Sequence, residues 1–266
     1  MDAQISLKTS VDVAHVRRAC RMAERCLRYL APCVQPGIST AALDRLAGRF
    51  LEENGALPAL RGYRGFPGVI CASVNNVAAH GIPSERLLEQ GDVLTIDITV
   101  SLNGWHGDAA WTFLAGEGTP DGRRVVKAAW NACIAGVRAA ATGGRVGDVG
   151  AAVAEEARRH GCSVIEDFVG HGIGRAMHED PMIPNVGVAD TGLRIVPGMV
   201  FTVEPMLTLG ARDVRLLGDG WTLVTTDGSL SAQFEHTVAV FRDYTEVLTF
   251  SRGRLFDSPD LPPVME

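Results

Sequence analysis

Asp97 and Asp108 stand in strand-like runs on either side of Asn103-Gly104. Asn-Gly between two such runs favours a two-residue type I′ turn. With that turn in place Leu102 faces Trp105, Thr99 faces Asp108 and Asp97 faces Ala110. Side chains alternate along a strand, so Asp97, Thr99, Asp108 and Ala110 share one face and the two carboxylates are diagonal neighbours. Leu94, Ile96, Ile98 and Val100 cover the other face and bury the strand. Carboxylates side by side in a partly buried sheet repel one another and lose hydration. Either one of them stays protonated or cations sit between them.

The second half of the chain supplies partners for a cation. Glu204 lies mid-strand in Val-Phe-Thr-Val-Glu204-Pro, where an acid is out of character, and Glu235 opens another β-rich run. His171 sits between glycines that permit close backbone approach. Oxygen-rich ligation with one imidazole suits Mn, Fe, Co or Zn bound as a pair. Two metals about 3.5–4 Å apart can activate water and polarise a carbonyl together. Each residue also has an ordinary reading: a strand aspartate or glutamate at a solvated edge, or a hydrogen-bonded loop histidine. The same holds for His80 and His178 as turn histidines, while His15, His106, His160 and His236 read as structural or surface groups. The metal reading is preferred because the ordinary ones must all hold independently, and hairpin geometry already places two of the acids.

The elements that must position these groups are legible in outline. Val13, Val16, Cys20, Ala23, Leu27 and Leu30 recur at helical spacing over residues 10–31, with Ser10 as N-cap. Thr40 opens a second helix bearing Leu43, Leu46, Ala47, Phe50 and Leu51, which Gly55 can end. Strands are expected at Val69–Ser73, Val93–Ser101 and Ala109–Leu114. Thr119-Pro120 starts a third helix to about Ala141, and Asp148 caps a fourth ending near Gly161. Strands return at Met199–Leu207, Trp221–Thr226, His236–Phe241 and Glu246–Phe250. Helices, strands, helices, strands describe an α+β domain of two similar halves. An internal echo agrees: Gly91 to Asp97 resembles Gly198 to Glu204, each preceded by a His-Gly-Ile turn, at His80 and His171. Residues 1–250 read as one catalytic domain and 251–266 as a C-terminal tail without assigned function.

Composition narrows the class. A net charge of -6 argues against a sequence-independent nucleic-acid binder, which usually shows a basic face. No apolar run approaches the roughly 18 residues of a membrane span, and the N-terminus lacks the apolar core of a secretory signal. The six cysteines lack CxxC or finger spacing and read as reduced thiols. These exclusions leave the cytoplasm, without a membrane or nucleic-acid partner. His178-Glu179 is not a zincin helix, since Met182 stands where a second histidine is needed. There is no G-x-S-x-G elbow and no Walker A loop.

Asn-Asn-Val-Ala-Ala-His80-Gly-Ile-Pro, Ile-Asp97-Ile-Thr-Val, His-Gly-Asp108, Gly-His171-Gly-Ile-Gly, His178-Glu-Asp-Pro, Thr-Val-Glu204-Pro-Met and Ser-Ala-Gln-Phe-Glu235-His-Thr occur in one order. In that order and separation the chain resembles the bacterial-type (type I) methionine aminopeptidases of metallopeptidase family M24, over about residues 8–250. The resemblance implies a pita-bread fold with pseudo-twofold halves and two divalent metal ions. By it Asp108 and Glu235 bridge the metals, Asp97 serves one, and His171 with Glu204 serves the other. A hydroxide between the metals would attack the first peptide carbonyl, with Glu204 as proton acceptor. One metal would hold the substrate's free α-amine. His178 would stabilise the oxyanion, and His80 would contact the scissile amide and help the leaving amine.

The resemblance further implies a methionine pocket made by Tyr63, Phe66, Cys71, Met177 and Trp221, with His80 and His178 also touching substrate. Phe66 and Met177 depart from the tyrosine and aromatic residue common in the family, which bears on substrate preference more than on chemistry. Asn75, Val77 and Ser231 match positions that offer backbone carbonyls to a monovalent cation. The implied partners are nascent polypeptide N-termini with a small second residue, met near the ribosome by a monomer. The first eight residues are too short for the zinc-finger extension of some relatives. A proline-directed aminopeptidase or prolidase of the same fold is the nearest alternative, though its usual extra N-terminal domain has no room in 266 residues. A non-catalytic binder of nucleic acid or partners is the other, and such proteins typically lose the metal ligands.

Overall fold

The computed structural model describes residues 5–250. The expected tail, 251–266, lies outside the described residues. Helix α1 spans Ser10–Leu30 and α2 Thr40–Glu53, while α3 spans Pro120–Ala139 and α4 Val146–Arg159. All six residues of the apolar stripe read on α1 are buried. Its N-cap is Thr9, one residue before the expected Ser10: Thr9 accepts from the Asp12 amide, and Asp12 accepts from the Thr9 amide at 2.9 Å. That reciprocal pair satisfies two otherwise orphaned donors, which a lone Ser10 cap would not. α3 stops at Ala139, short of the expected Ala141. Asp148 caps α4 from inside, as its third residue; its carboxylate accepts the amides of Arg145 at 2.7 Å and Asp190 at 2.6 Å.

The strands are β1 (Leu57–Pro58), β2 (Cys71–Val74), β3 (Val77–Ala79), β4 (Val93–Leu102), β5 (Trp105–Leu114), β6 (Ser163–Val164), β7 (Gly170–Gly172) and β8 (Glu179–Ile183). They continue as β9 (Val200–Val203), β10 (Met206–Thr208), β11 (Val214–Leu216), β12 (Leu223–Thr225), β13 (Ser231–Gln233), β14 (Glu235–Val240) and β15 (Thr245–Val247). The expected run Met199–Leu207 is therefore two strands in two sheets. Pro205 has no amide hydrogen to carry the ladder across, so β9 joins the main sheet and β10 pairs with β13 and β6. The run from Trp221 begins only at Leu223, because the amides of Trp221 and Thr222 bond the Asp219 carboxylate instead.

The main sheet runs β1-β4-β5-β14-β9-β7-β8, with β2 also on β4 and β15 also on β14. Every pairing is antiparallel. The β4–β5 hairpin has the register read from its turn: Leu102 faces Trp105, Thr99 faces Asp108 and Asp97 faces Ala110. Asn103 and Gly104 both have positive φ, as type I′ requires. The order β4-β5-β14-β9 mirrors the two halves of the chain about its centre. Gly91 and Gly198, both at positive φ, each stand two residues before the outer strand of their half, so the echo in the sequence has a counterpart in topology.

One face of this sheet carries Leu94, Ile96, Ile98, Val100, Trp111 and Phe201 into a core with Leu27 and Leu30 of α1, Leu43 of α2 and Val125 and Val137 of α3. Removing that apolar surface from water holds the sheet rigid and leaves the opposite face free to carry polar groups. No helix among the described residues is long and apolar enough to cross a membrane.

Candidate metal centre

The polar face is organised in rows by strand register. In the first row Asp97 faces Ala110, and Ala110 faces Glu235. Extending the β14–β9 register by one residue sets Glu204 beside Glu235. The row two residues away holds Thr99, Asp108, Thr237 and Thr202, and His171 lies next to Thr202 on β7. The glycines around His171 allow that approach. A Cβ on Gly170 would strike the Thr202 carbonyl, and one on Gly172 would strike the carbonyl of Asp180.

Asp108, His171 and Glu235 present ligand atoms that all lie within 4.8 Å of one another. His171 Nε2 is 4.0 Å from Asp108 Oδ2 and 3.5 Å from Glu204 Oε1. Its Nδ1 is 3.0 Å from the Gly172 carbonyl, which can only accept. Nδ1 therefore carries a proton, and Nε2 is the nitrogen turned toward the carboxylates. Thr99 donates to Asp108 Oδ2 at 3.0 Å and Thr202 donates to Glu204 Oε1 at 2.6 Å.

The electrostatics of the chain alone are strained in one direction. Burial pushes all four carboxyls up, and for Asp97 and Glu235 the neighbouring acids push further. Asp108 is raised less, because His171 and the Thr99 hydroxyl favour its charged form. Glu204 is raised to about 7, with His171 and Thr202 opposing its burial. Asp108 Oδ1 and Glu235 Oε1 are buried without any hydrogen-bond partner. Orphaned carboxylate oxygens crowded together in a buried site are costly unless a cation shares them. The donor set fits divalent metal.

A cavity of about 620 Å³ opens over these ligands. Its lining includes all twelve residues expected as metal ligands, catalytic groups or methionine contacts. Phe66, Cys71 and Met177 are buried. Phe66 and Trp221 meet edge to face at 5.1 Å, and Cys71 faces Asp97 across β2 and β4, so apolar wall and carboxylates adjoin. Tyr63 Oη lies 3.0 Å from His178 Nδ1. Loss of hydration, with His171 and Arg64 nearby, lowers His178 to about 4. His80, at positive φ, stands edge-on to Phe168 at 5.2 Å, and burial lowers its pKa. Asn75 and Ser231 are adjacent, with the Ser231 amide donating to the Asn75 carbonyl at 2.8 Å, and Val77 pairs with Val224 on β12. These three lie outside the cavity lining.

Thr99, Gln233 and Met206 also line the cavity, and Thr202 supports it. Thr99 and Thr202 stand two residues from an expected ligand on the same run, a signal that the strand period of two carries, whereas Met206 and Gln233 lie across a change of strand from theirs. Phe168 has no such periodic mark.

The profile of metallopeptidase family M24 matches residues 14–241. Methionine aminopeptidase A of Synechocystis sp. is 45% identical over 250 residues, covering 94% of this chain and 99% of that protein. The crystal structure of methionine aminopeptidase from Rickettsia prowazekii superposes with a TM-score of 0.92 at 40% identity, covering 93% of this chain and 100% of that one. Prolidase from Pyrococcus furiosus has a TM-score of 0.74 at 19% identity, with 93% of this chain matching 66% of that one, a likeness of fold alone. The architecture is the pita-bread fold.

Proposed function

The chain belongs to the bacterial-type methionine aminopeptidases of metallopeptidase family M24, and from that premise we propose that it removes the N-terminal methionine from nascent proteins with two divalent metal ions. The observation that carries the two-ion reading is the gathering of four carboxyls, Asp108 and Glu235 buried and Asp97 and Glu204 partly buried, with one imidazole in a single cavity, two of the carboxylate oxygens being unpartnered. Four carboxylates ionise together in such a site only against matching positive charge, and two divalent ions supply it. Asp97, Asp108, His171, Glu204 and Glu235 would hold the pair, with Asp108 and Glu235 shared between the ions, Asp97 serving one, and His171 with Glu204 serving the other. When bound, ions of the Co, Mn, Fe or Zn class would supply Lewis-acid polarisation of the carbonyl and a water of lowered pKa.

The remaining chemistry belongs to the side chains. Methionine seats its thioether against Phe66, Cys71, Met177 and Trp221, with Tyr63 at the rim. A second residue that is small keeps the chain close to the ligands. Glu204 takes the proton released by the attacking water and returns it to the leaving amine. His178 is neutral at pH 7 and donates an N–H to the oxygen on which charge develops. His80 contacts the scissile amide and steers its nitrogen as it leaves. The backbone carbonyls of Asn75, Val77 and Ser231 would hold a monovalent cation. The protein works as a cytoplasmic monomer near the ribosome, and residues 1–250 act as one catalytic domain.

Hydrolysis of Met-Ala-Ser and of an Ala-Pro peptide by metal-reconstituted protein, with Asp97→Ala alongside, tests this reading. Cleavage of Met-Ala-Ser alone, lost in the variant, is the expected result. Cleavage of the proline peptide would move the assignment to the prolidase branch, and no cleavage with any metal would overturn the enzyme reading.

A further inference from the structure

Met182 is an exposed apolar side chain in an unusual place. On β8 it alternates with buried Pro181 and Ile183, yet 71% of its own surface meets solvent. A lone exposed methionine elsewhere would need no explanation. This one faces His171 in the β7–β8 register, so both side chains project from the same face, and it lines the cavity over the ligands. β8 ends the main sheet, so Met182 stands at the cavity's outer edge.

Sheet order gives the substrate a direction. Cys71 brings one part of the methionine wall against the carboxylates on the β2–β4 side, where it faces Asp97. His171 and then Met182 lie on the opposite side, across β9, β7 and β8. Neighbouring strands are about 4.8 Å apart and an extended peptide advances about 3.3 Å per residue. Met182 stands one strand spacing from His171, and two residues of extended peptide advance about 6.6 Å, so a peptide whose first carbonyl sits on the His171 side of the ligands brings its third side chain over the strand that carries Met182. We propose that Met182 forms an apolar subsite for the third residue of the substrate, so that the protein prefers an apolar side chain there. The thioether is flexible enough to fold over branched and aromatic side chains alike. This proposal rests on the aminopeptidase reading above.

The test is the ratio of kcat/KM for Met-Ala-Leu-Ser-amide to that for Met-Ala-Ser-Ser-amide, measured on the metal-loaded full chain. Uncharged third residues and amidated ends keep the rim charges of Arg64, Asp167 and Asp180 out of the comparison. Covering the leucine at this contact predicts a ratio of about five in the wild type. The difference should fall in KM with kcat held, as for a contact made equally in ground and transition states. Met182→Ser should bring the ratio to about one, and Met182→Leu should keep it. A wild-type ratio near one, or a ratio that survives Met182→Ser, overturns the subsite. Failure of the wild type to cleave either peptide overturns the aminopeptidase reading and the subsite with it.

Discussion

The Thr202 hydroxyl lies 2.6 Å from Glu204 Oε1 and also receives the His171 amide at 2.9 Å. One small side chain thus fixes the carboxylate and the strand that carries the imidazole. Groups that orient metal ligands typically change affinity by about 10–100-fold when removed. Thr202→Val keeps the shape and removes both hydrogen bonds. It should weaken Mn²⁺ binding by about that factor in calorimetric titration, while excess metal restores much of the turnover. An unchanged affinity would show that packing alone holds Glu204.

The raised carboxyls set how the metal-free protein responds to base. Glu204 moves from an ordinary 4.5 to about 7, and Asp97 and Glu235 lie well above their usual range. At a pH inside that window the folded chain binds protons that the unfolded chain has released, so stability falls as pH rises. His178 and His236, both lowered from 6.5 to about 4, act oppositely, but only below 6.5. From pH 6.5 to 8, therefore, metal-free protein should lose thermal stability steadily. Saturating Mn²⁺ should abolish most of that slope, because the ions stabilise the charged carboxylates. A rising or flat melting curve for the metal-free form across this range would contradict the assignment.

Asn185 is buried, and its Nδ2 donates to the carbonyls of Phe168 at 3.1 Å and Glu204 at 3.5 Å. Turning the amide over would set oxygen against two carbonyl oxygens, so the orientation follows from its partners. Asn185→Asp has the same shape but puts a carboxylate there. It should be less stable than Asn185→Leu, which merely leaves the carbonyls unpaired at about 1–3 kcal/mol. Urea unfolding of the two variants decides this, and equal stability would mean the amide does little.

Local chemistry made much of this site readable in advance. Asn103-Gly104 sets the β4–β5 register, and that register alone makes Asp97 and Asp108 neighbours. The meeting of these acids with Glu235, Glu204 and His171 depends on β5 pairing with β14, a contact between residues more than a hundred apart that no local pattern encodes. It became readable only through ordered motifs resembling a known family. Short strands such as β7 and β8 carry too few residues to show a period, and their place follows from close backbone contacts at Gly170 and Gly172. The break at Pro205 was visible in the residue itself, yet the apolar run around it masked a change of sheet. Thr202 and Thr99 read as ordinary strand formers until the hydroxyls are seen to face carboxylates.

Tyr63 and His178 offer the sharpest separation of chemistry from binding. Neutral imidazole has one N–H, and its position depends on what the other nitrogen meets. The Tyr63 hydroxyl lies 3.0 Å from Nδ1 and can donate to it, and donation in that direction is what keeps the proton on Nε2, free for the substrate oxygen. Tyr63→Phe keeps the ring in the pocket but releases this constraint, so most of the imidazole can adopt the wrong tautomer or turn away. The expected loss is about tenfold in kcat, with KM for Met-Ala-Ser nearly unchanged. Because the hydroxyl acts through His178, Tyr63→Phe should cost little further once His178→Ala is in place. Additive losses in that double-mutant cycle would mean that Tyr63 contributes on its own, and that the hydrogen bond between the two is incidental to turnover.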